Sequence, residues 1–403
     1  MTTQQAPAAR VLEELRAWHE ELRVQFPILA AHPEPAYLDS AATSQKPEAV
    51  LDAVREYLTT SNANAGRGTY PWANRTTALV EETRRRIKEF LHDPDPDRSG
   101  VHLTGGTTEG LRAVARDWLA PQLADGDEIV VPFTDHRANL HPWLEVRDLM
   151  ARQGVRVRVR ALPVQESSGD YDTAELARTV TPRTRLVAVT HVHHVYGADM
   201  HVHRVRRAVG PGVLICLDAA QSVGHMPVSM AELDVDFAVF SGHKTLALPG
   251  SGAVWARNAR GPAFEPGGWD GSPNTTGAVA LLAALDWLDA AGTARIGRWT
   301  RALAAQLTDG LRHLPSYEVL GCGRSLAADS PVARRQGIVT FRHRRVDSGD
   351  LGFVLYHEGF MVRSDSLCQG GRDERQRSVR VSLHVYNSPE EITRLLHALA
   401  SLE

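Results

Sequence analysis

From Val11 to Phe26, apolar residues recur at helical spacing: Val11, Leu12, Leu15, Trp18, Leu22 and Phe26 share one face. Pro27 and the proline-rich His32–Pro35 segment close this predicted helix. Short apolar runs then alternate with helical patterns. The runs Val101–Thr104, Glu128–Pro132, Val155–Val164, Arg185–Val192, Val213–Leu217, Phe237–Phe240 and Gly252–Ala256 predict strands. Thr108–Leu119, Trp143–Gln153 and Val202–Val209 predict helices between them. Such alternation predicts an α/β domain with a mostly parallel sheet covered on both faces. After Asn274 the pattern changes. Gly277–Ala291 and Thr293–Leu314 read as helices, Tyr317–Leu320, Gly337–Phe341 and Ser378–Leu383 as strands, and Pro389–Leu402 as a closing helix. Ala327–Gln336 reads as a loop. The expected division is an N-terminal helix (1–35) packing with the small domain, a large α/β domain (36–290) and a small α+β domain (291–403).

The chain has 403 residues, 43% of them hydrophobic, enough for two or three domain-like units. A formal net charge of −3 argues against a broad nucleic-acid footprint. The basic stretches Arg84-Arg85-Arg86 and Arg204-Val205-Arg206-Arg207 read as solvated helix faces. The most apolar stretch, Gly277 to Leu285, is too short to cross a membrane. The first residues, MTTQQAPAAR, lack the pattern of a secretory signal. Cys216, Cys322 and Cys368 are too few and too scattered for a disulfide framework. A cytoplasmic protein with reduced thiols is expected. Eighteen histidines raise the question of metal, and His191, His193, His194, His201 and His203 are its obvious source. No cysteine accompanies them and Asp199 is the only nearby carboxylate, so they read as turn and cofactor-pocket residues, with no metal expected.

The chemistry concentrates where two apolar strands end. LICLDAAQ (Leu214–Gln221) delivers Asp218, and DFAVFSGHK (Asp236–Lys244) delivers Ser241, His243 and Lys244. Ligands of open α/β sheets bind at that edge. A lysine amine that condenses with an aldehyde, beside a carboxylate that keeps a pyridine nitrogen protonated, is the minimum that pyridoxal phosphate requires. A lone lysine is usually a surface residue; one that follows a buried strand and Ser-Gly-His is not. The turn Thr104-Gly-Gly-Thr-Thr-Glu-Gly110 offers backbone N–H groups and hydroxyls to a phosphate. His136, after the Glu128–Pro132 run, is placed to stack on a pyridine ring or to cap a turn.

These residues carry a family resemblance. The chain resembles the class V, fold-type-I pyridoxal-phosphate enzymes, in their cysteine desulfurase and selenocysteine lyase branch. The matching segments are Phe26-Pro-Ile-Leu, Tyr37-Leu-Asp-Ser-Ala-Ala-Thr-Ser-Gln-Lys-Pro47, Gly106-Thr-Thr-Glu-Gly110 and His136-Arg-Ala-Asn-Leu-His-Pro-Trp143. They continue through Asp218-Ala-Ala-Gln221, His225-Met-Pro-Val228, Phe240-Ser-Gly-His-Lys244, Gly271-Ser-Pro-Asn-Thr275, Val362-Arg363 and Arg380-Val-Ser-Leu-His-Val-Tyr-Asn387. The resemblance implies that Lys244 is the Schiff-base lysine and that Asp218 pairs with the ring nitrogen. It implies that Gln221 bonds the phenolic oxygen, that His136 stacks on the ring, and that Thr107, Thr108, Ser241 and His243 hold the phosphate. Ser272 would reach the phosphate of a neighbouring subunit, implying a homodimer with shared active sites. Arg380 would grip the substrate carboxylate with Arg363 nearby. Cys368 falls where the family places its persulfide-forming cysteine.

Departures from the pattern bear on the reaction. The family's asparagine beside cofactor and carboxylate is here His194, which by its ordinary pKa would titrate near neutral pH and serve as acid or base. The family's Arg-Thr-Gly-His-His-Cys loop reads Arg363-Ser-Asp-Ser-Leu-Cys368. Asp365 opposes a thiolate there, while Arg363 and Arg372 favour one. The stretch from Trp255 to Ser272 is short, which would open the entrance. Gly66-Arg67-Gly68 lacks the family's histidine.

The expected function is a lyase that cleaves the C–S bond of cysteine or an S-substituted cysteine, with a place in specialised biosynthesis. The alternatives are a desulfurase with a Cys368 persulfide and an acceptor protein, or a decarboxylating, oxidatively deaminating or epimerising enzyme. A non-catalytic scaffold conflicts with retention of Lys244, Asp218 and Gln221. The expected partner is a small-molecule amino-acid substrate, cysteine or an S-conjugate, which the open entrance would let be larger than cysteine, with no nucleic acid or membrane partner.

Overall fold

The computed structural model describes residues 5–165, 169–265, 273–321, 335–369 and 377–403. The main sheet holds seven strands: β1 (Gly100–Thr104), β2 (Glu128–Val131), β3 (Arg158–Ala161), β4 (Thr184–Thr190), β5 (Leu214–Asp218), β6 (Phe237–Ser241) and β7 (Gly252–Ala256). Their order is β1-β7-β6-β5-β4-β2-β3, and β7 alone runs against the others. Successive residues of the central strands feed two different cores, as the two-residue period of a strand requires. Val187, Val189, Leu217, Phe240 and Trp255 point into one. Leu186, Ala188, Cys216, Val239 and Val254 point into the other. Burial on both faces explains why these runs are continuously apolar. Because six strands share a direction, Thr104, Val131, Thr190, Asp218 and Ser241 end on one edge.

A second, antiparallel sheet contains β8 (Tyr317–Val319), β9 (Ile338–His343), β10 (Arg363–Asp365) and β11 (Ser378–Ser382), in the order β10-β11-β9-β8. Helices Thr293–Arg312, Ser348–His357 and Pro389–Ala400 cover it, and Val11, Leu12 and Leu15 of the N-terminal segment join the same core. The last helix opens with a reciprocal capping box between Ser388 and Glu391. The whole is the expected α/β architecture of a mostly parallel sheet flanked by helices, with a smaller α+β unit. Among the described residues no single helix is long and apolar enough to cross a membrane.

Several elements depart from the pattern, each for a local reason. The helix expected over Val11–Phe26 is two helices, Gln5–Glu14 and Arg16–Arg23, separated at Leu15. Pro27 opens a short helix (Pro27–Ala31) rather than closing one, since proline suits the first helical position. β3 keeps only four residues of the Val155–Val164 run, because it is an edge strand whose sole partner, β2, ends before Pro132. The helix expected over Thr108–Leu119 is an α-turn at Thr107–Arg112 that widens into a π-helix at Ala113–Leu119. Helices Glu48–Thr60, Pro71–Phe90 and Ser348–His357, and strand β10, add to the expected elements, and Val50, Val54 and Tyr57 of the first recur at helical spacing. The expected loop lies outside the described residues as far as Arg334. Arg335 is buried and donates to the carbonyls of Tyr196, Leu320 and Gly321.

The basic stretches also need correction. Arg84 and Arg85 pair with Glu81, Glu82 and Glu89 on an exposed face, but Arg206 is buried. Its Nη2 meets Asp236 Oδ2 at 2.6 Å, and that oxygen also takes the Ile215 N–H at 2.9 Å. Asp236 precedes β6 and Ile215 lies in β5, so the pair ties together the starts of the two strands that deliver Asp218 and Lys244. Asp236→Ala removes the closer and more deeply buried of the two carboxylates beside Arg206 and should lower stability by about 3 kcal/mol. Urea unfolding measures this, and a loss under about 1 kcal/mol would show that the pair does not pin the strands.

Candidate active site

The C-terminal edge of the main sheet walls a cavity of about 240 Å³. β1 delivers the turn at its phosphate-like end. Gly106 has φ +143°, and a Cβ there would lie 3.2 Å from Ser241 Oγ. Facing it, a Cβ on Gly252 would meet the Gly106 Cα at 2.7 Å. Only glycine lets β1 and β7 approach this closely. Thr107 donates its N–H to Ser241 Oγ at 2.9 Å, and the two hydroxyls meet at 2.7 Å. Thr108 and His243 complete this part of the wall.

β5 and β6 are neighbours, and they set Asp218 and Lys244 into the same cavity. Asp218 Oδ1 takes the Ala220 N–H at 2.9 Å. Burial raises its pKa, while that hydrogen bond and the Lys244 charge oppose the rise. Burial lowers Lys244 to about 8; Asp218 opposes this, and Arg380 and Arg363 add to it. An amine with that pKa is partly neutral near pH 7–8 and can act as a nucleophile or base. Gln221 lines the wall beside Asp218 and donates Nε2–H to the Ala41 carbonyl at 2.9 Å.

β2 leads to His136, which both lines the cavity and caps a turn: its Nδ1 accepts the Ala138 N–H at 3.1 Å. The residues after β4 bring in His194. Its Nε2 lies 2.9 Å from the Leu367 carbonyl, so Nε2 carries the proton and Nδ1 is an acceptor. The ring packs edge-on against His136 at 5.0 Å. Burial holds His194 well below the usual histidine range, with His193, His136, Arg380 and Lys244 adding to the effect. His194 is therefore neutral near pH 7, and the expectation that it titrates there does not hold.

The small sheet supplies the opposite wall. Arg380 of β11 is 2% exposed. It donates Nη1–H to the His194 carbonyl at 3.2 Å and Nη2–H to Asp39 Oδ1 at 2.9 Å. Its buried Nε has no partner among the described residues. Arg363 of β10 lines the cavity, holds both Asp365 oxygens at 3.0 Å, and places Nη2 3.3 Å from Cys368 Sγ. Cys368 itself is not among the cavity's lining residues; Leu367 is. Both sit in the left-handed region, at φ +54° and +56°. Arg137 donates its N–H to the Cys368 carbonyl at 3.1 Å, fastening this loop to the large domain. Ser272, Arg372 and Cys322 lie outside the described residues. Among the described residues, histidines 191–203 included, no group of three His, Cys, Asp or Glu side chains is placed to hold a metal ion.

The structure adds residues to which the sequence reading gave no role. Asp39 pairs with Arg380, Thr190 and Leu367 line the cavity, and the Ala41 carbonyl holds Gln221. Asp39 and Ala41 stand inside the Tyr37–Pro47 motif, and that position was their only signal.

The aminotransferase class-V family model matches residues 36–395. A cysteine desulfurase from Cronobacter sakazakii is 32% identical over 411 residues, covering 94% of this chain and 97% of its own. A probable cysteine desulfurase from Vibrio cholerae is 30% identical over 410 residues, covering 94% and 97%. Among solved structures, the apo form of a cysteine desulfurase from Thermococcus onnurineus matches with a TM-score of 0.83 at 26% identity, covering 95% of this chain and 97% of that one. The cysteine desulfurase CsdA from Escherichia coli matches with a TM-score of 0.79 at 27% identity, covering 95% and 98%. The fold is thus the fold-type-I arrangement that the resemblance implied.

Acid stability follows from the buried histidines. His136 is lowered to about 3, and His243 and His225 to about 4, each chiefly by burial. Their folded pKa values lie below the unfolded 6.5, so the unfolded chain binds more protons in that window. Stability is full above about pH 6.5 and falls as pH drops toward 4. The thermal midpoint of cofactor-free protein should fall steadily from pH 7 to pH 4.5; a flat profile would contradict the burial.

Proposed function

The chain belongs to the aminotransferase class-V family, and from that premise we propose that it is a pyridoxal-phosphate-dependent lyase cleaving the C–S bond of cysteine or an S-substituted cysteine. The observation that carries this reading is the meeting of Lys244, Asp218 and Arg380 in one buried cavity. The chemistry of the donors fits the cofactor. No described residue takes a hydrogen bond from the Lys244 amine, which leaves it free to hold an aldehyde carbon. Asp218 is a buried carboxyl without an ion-pair partner among the described residues, and a protonated ring nitrogen would supply one. Gln221 is beside it for the phenolic oxygen, and the His136 ring for stacking. Thr107, Thr108, Ser241 and His243 surround the glycine turn with phosphate donors, and Ser272 would serve a partner subunit's phosphate.

When bound, the cofactor supplies an electron-withdrawing ring that acidifies the Cα proton of an attached amino acid. The chain's residues do the rest. Arg380, whose side chain lines the cavity, would receive the substrate carboxylate. Lys244, partly neutral near pH 8, would accept and hold the proton that leaves Cα. As the C–S bond breaks, its electron pair would leave with the sulfur as a thiolate, which becomes a thiol by taking the proton held on Lys244 or one from water. Neutral His194 offers the Nδ1 lone pair as a hydrogen-bond acceptor, not a proton. The Arg380 grip favours retention of the carboxylate over its loss, which speaks against the decarboxylating alternative.

A second reading, desulfuration through a Cys368 persulfide, has its own support. The Arg363 guanidinium lies 3.3 Å from Sγ, and the relatives above are named desulfurases. That reading adds a sulfur-acceptor protein. Leu367 rather than Cys368 at the wall favours elimination. Both readings include a cytoplasmic homodimer. Exposed Leu58 and Trp72, on two helices joined by the Arg75–Glu56 pair, and Tyr70 just before the second helix provide apolar surface for a second copy.

Lys244→Ala should abolish the visible absorbance of cofactor-loaded protein; an unchanged spectrum sinks the cofactor assignment. With Cys368→Ala, an S-substituted cysteine should still yield thiol, pyruvate and ammonia within about twofold of the parent rate, as expected of a residue outside the reacting set. Loss of turnover together with loss of sulfane sulfur from free cysteine would favour the persulfide reading instead. Carbon dioxide release with oxygen uptake would exclude both.

A further inference from the structure

The peptide that carries Lys244 is held from outside its own strand. The His243 carbonyl, one bond before the Lys244 nitrogen, accepts from Ser44 N–H at 2.9 Å, Ser44 Oγ at 3.0 Å, Thr43 Oγ1 at 3.2 Å and Lys46 Nζ at 3.4 Å. One carbonyl oxygen has two lone pairs, so four donors crowd it beyond ordinary need. On the other side of the lysine, Leu246 is fully buried at φ +62°, a conformation that a leucine adopts only when its surroundings impose it. The Leu246 N–H donates to the same Ser44 Oγ at 3.0 Å. A single hydroxyl, itself fully buried, therefore donates to the peptide before Lys244 and accepts from the strained one after it.

We propose that Ser44 is a positioning residue for Lys244, bridging the two ends of its turn and fixing the point from which the amine reaches into the cavity. The inference rests on the reading of Lys244 as the cofactor lysine, and it assigns Ser44 a role that the folding of the turn alone does not require. The local bonds from Thr245 N–H and Ala247 N–H to the Gly242 carbonyl, both 2.8 Å, already close that turn. What they leave undetermined is the rotation of the His243–Lys244 peptide about its flanking bonds, and Ser44 constrains it from both sides. Thr43 and Lys46 reinforce the first of the two contacts.

The test uses cofactor-loaded protein. Ser44→Ala should lower kcat roughly 10- to 100-fold with KM within about threefold, as expected when a reacting group is displaced by a fraction of an ångström. The pH midpoint of the cofactor's visible absorbance should move, and Ser44→Thr, which restores a hydroxyl, should recover both. A lower thermal midpoint with kcat and the absorbance midpoint unchanged would overturn the proposal, because a purely structural serine gives that result. If Ser44→Ala does not fold, Lys46→Met and Thr43→Val remove donors from the same carbonyl. Each should lower kcat about threefold and shift the absorbance midpoint in the same direction, and no change in either would overturn the proposal equally. Lys244→Ala keeps the two questions apart: if its absorbance persists, the cofactor reading fails whatever Ser44 does.

Discussion

An amine and a carboxyl buried at the ends of neighbouring strands set the terms for this molecule. Taking either charge out of water costs several kcal/mol, and burial alone drives both toward their neutral forms. Lys244 falls to about 8 and Asp218 rises, each restrained by the other's charge. Such a pair survives only on a rigid support. That support is a sheet with apolar residues on both faces, with Asp236 and Arg206 binding the starts of β5 and β6 at the far end. Hydrophobic burial steadies the strands, and the strands carry the chemistry at their ends.

The cavity is a junction between the two sheets, and hydrogen bonds cross it from both sides. Arg380 reaches from the small sheet to Asp39 and to the His194 carbonyl of the large one. The segment from Asp39 to Lys46 runs between them. It pairs with Arg380, holds Gln221 through the Ala41 carbonyl, and grips the peptide before Lys244. Substrate side, ring side and lysine side of the site thus share one stretch of backbone. A displacement of that stretch would reach all three at once, whereas most wall residues affect only one.

Much of this was legible in the chain. Strands covered on both faces announce themselves as continuous apolar runs, so β4 to β7 and the residues at their ends could be read directly. Lys244 and Asp218 followed from chemistry at those ends, and the remaining assignments from motif. The illegible parts are those set by tertiary contact. Arg206 sits in a run of arginines, and nothing in its neighbours distinguishes it from the solvated Arg204 and Arg207; only Asp236, thirty positions on, does. Ser44 lacks an apolar period and a charge. Its importance arises from meeting residues about two hundred positions away. Pro27 can end a helix or begin one, and the local pattern does not choose. The widening of the helix after Arg112 into a π-turn leaves no mark on periodicity, because a seven-residue segment is too short to separate the two periods.

Two departures from the family pattern that look independent in the sequence meet in one hydrogen bond. His194 replaces an asparagine on the large domain, and the Ser366-Leu367 pair alters a loop of the small one. The Leu367 carbonyl takes the His194 Nε2 proton at 2.9 Å, and this decides which ring nitrogen faces the chemistry as an acceptor. An asparagine side chain is shorter and presents donor and acceptor together, so it would not need that carbonyl to define its role. A histidine does need it, because either tautomer is otherwise available. The left-handed conformations of Leu367 and Cys368 turn the carbonyl toward the histidine and the Leu367 side chain toward the cavity, leaving the thiol to Arg363. The loop that carries Cys368 thus also fixes a tautomer and adds an apolar wall to the cavity.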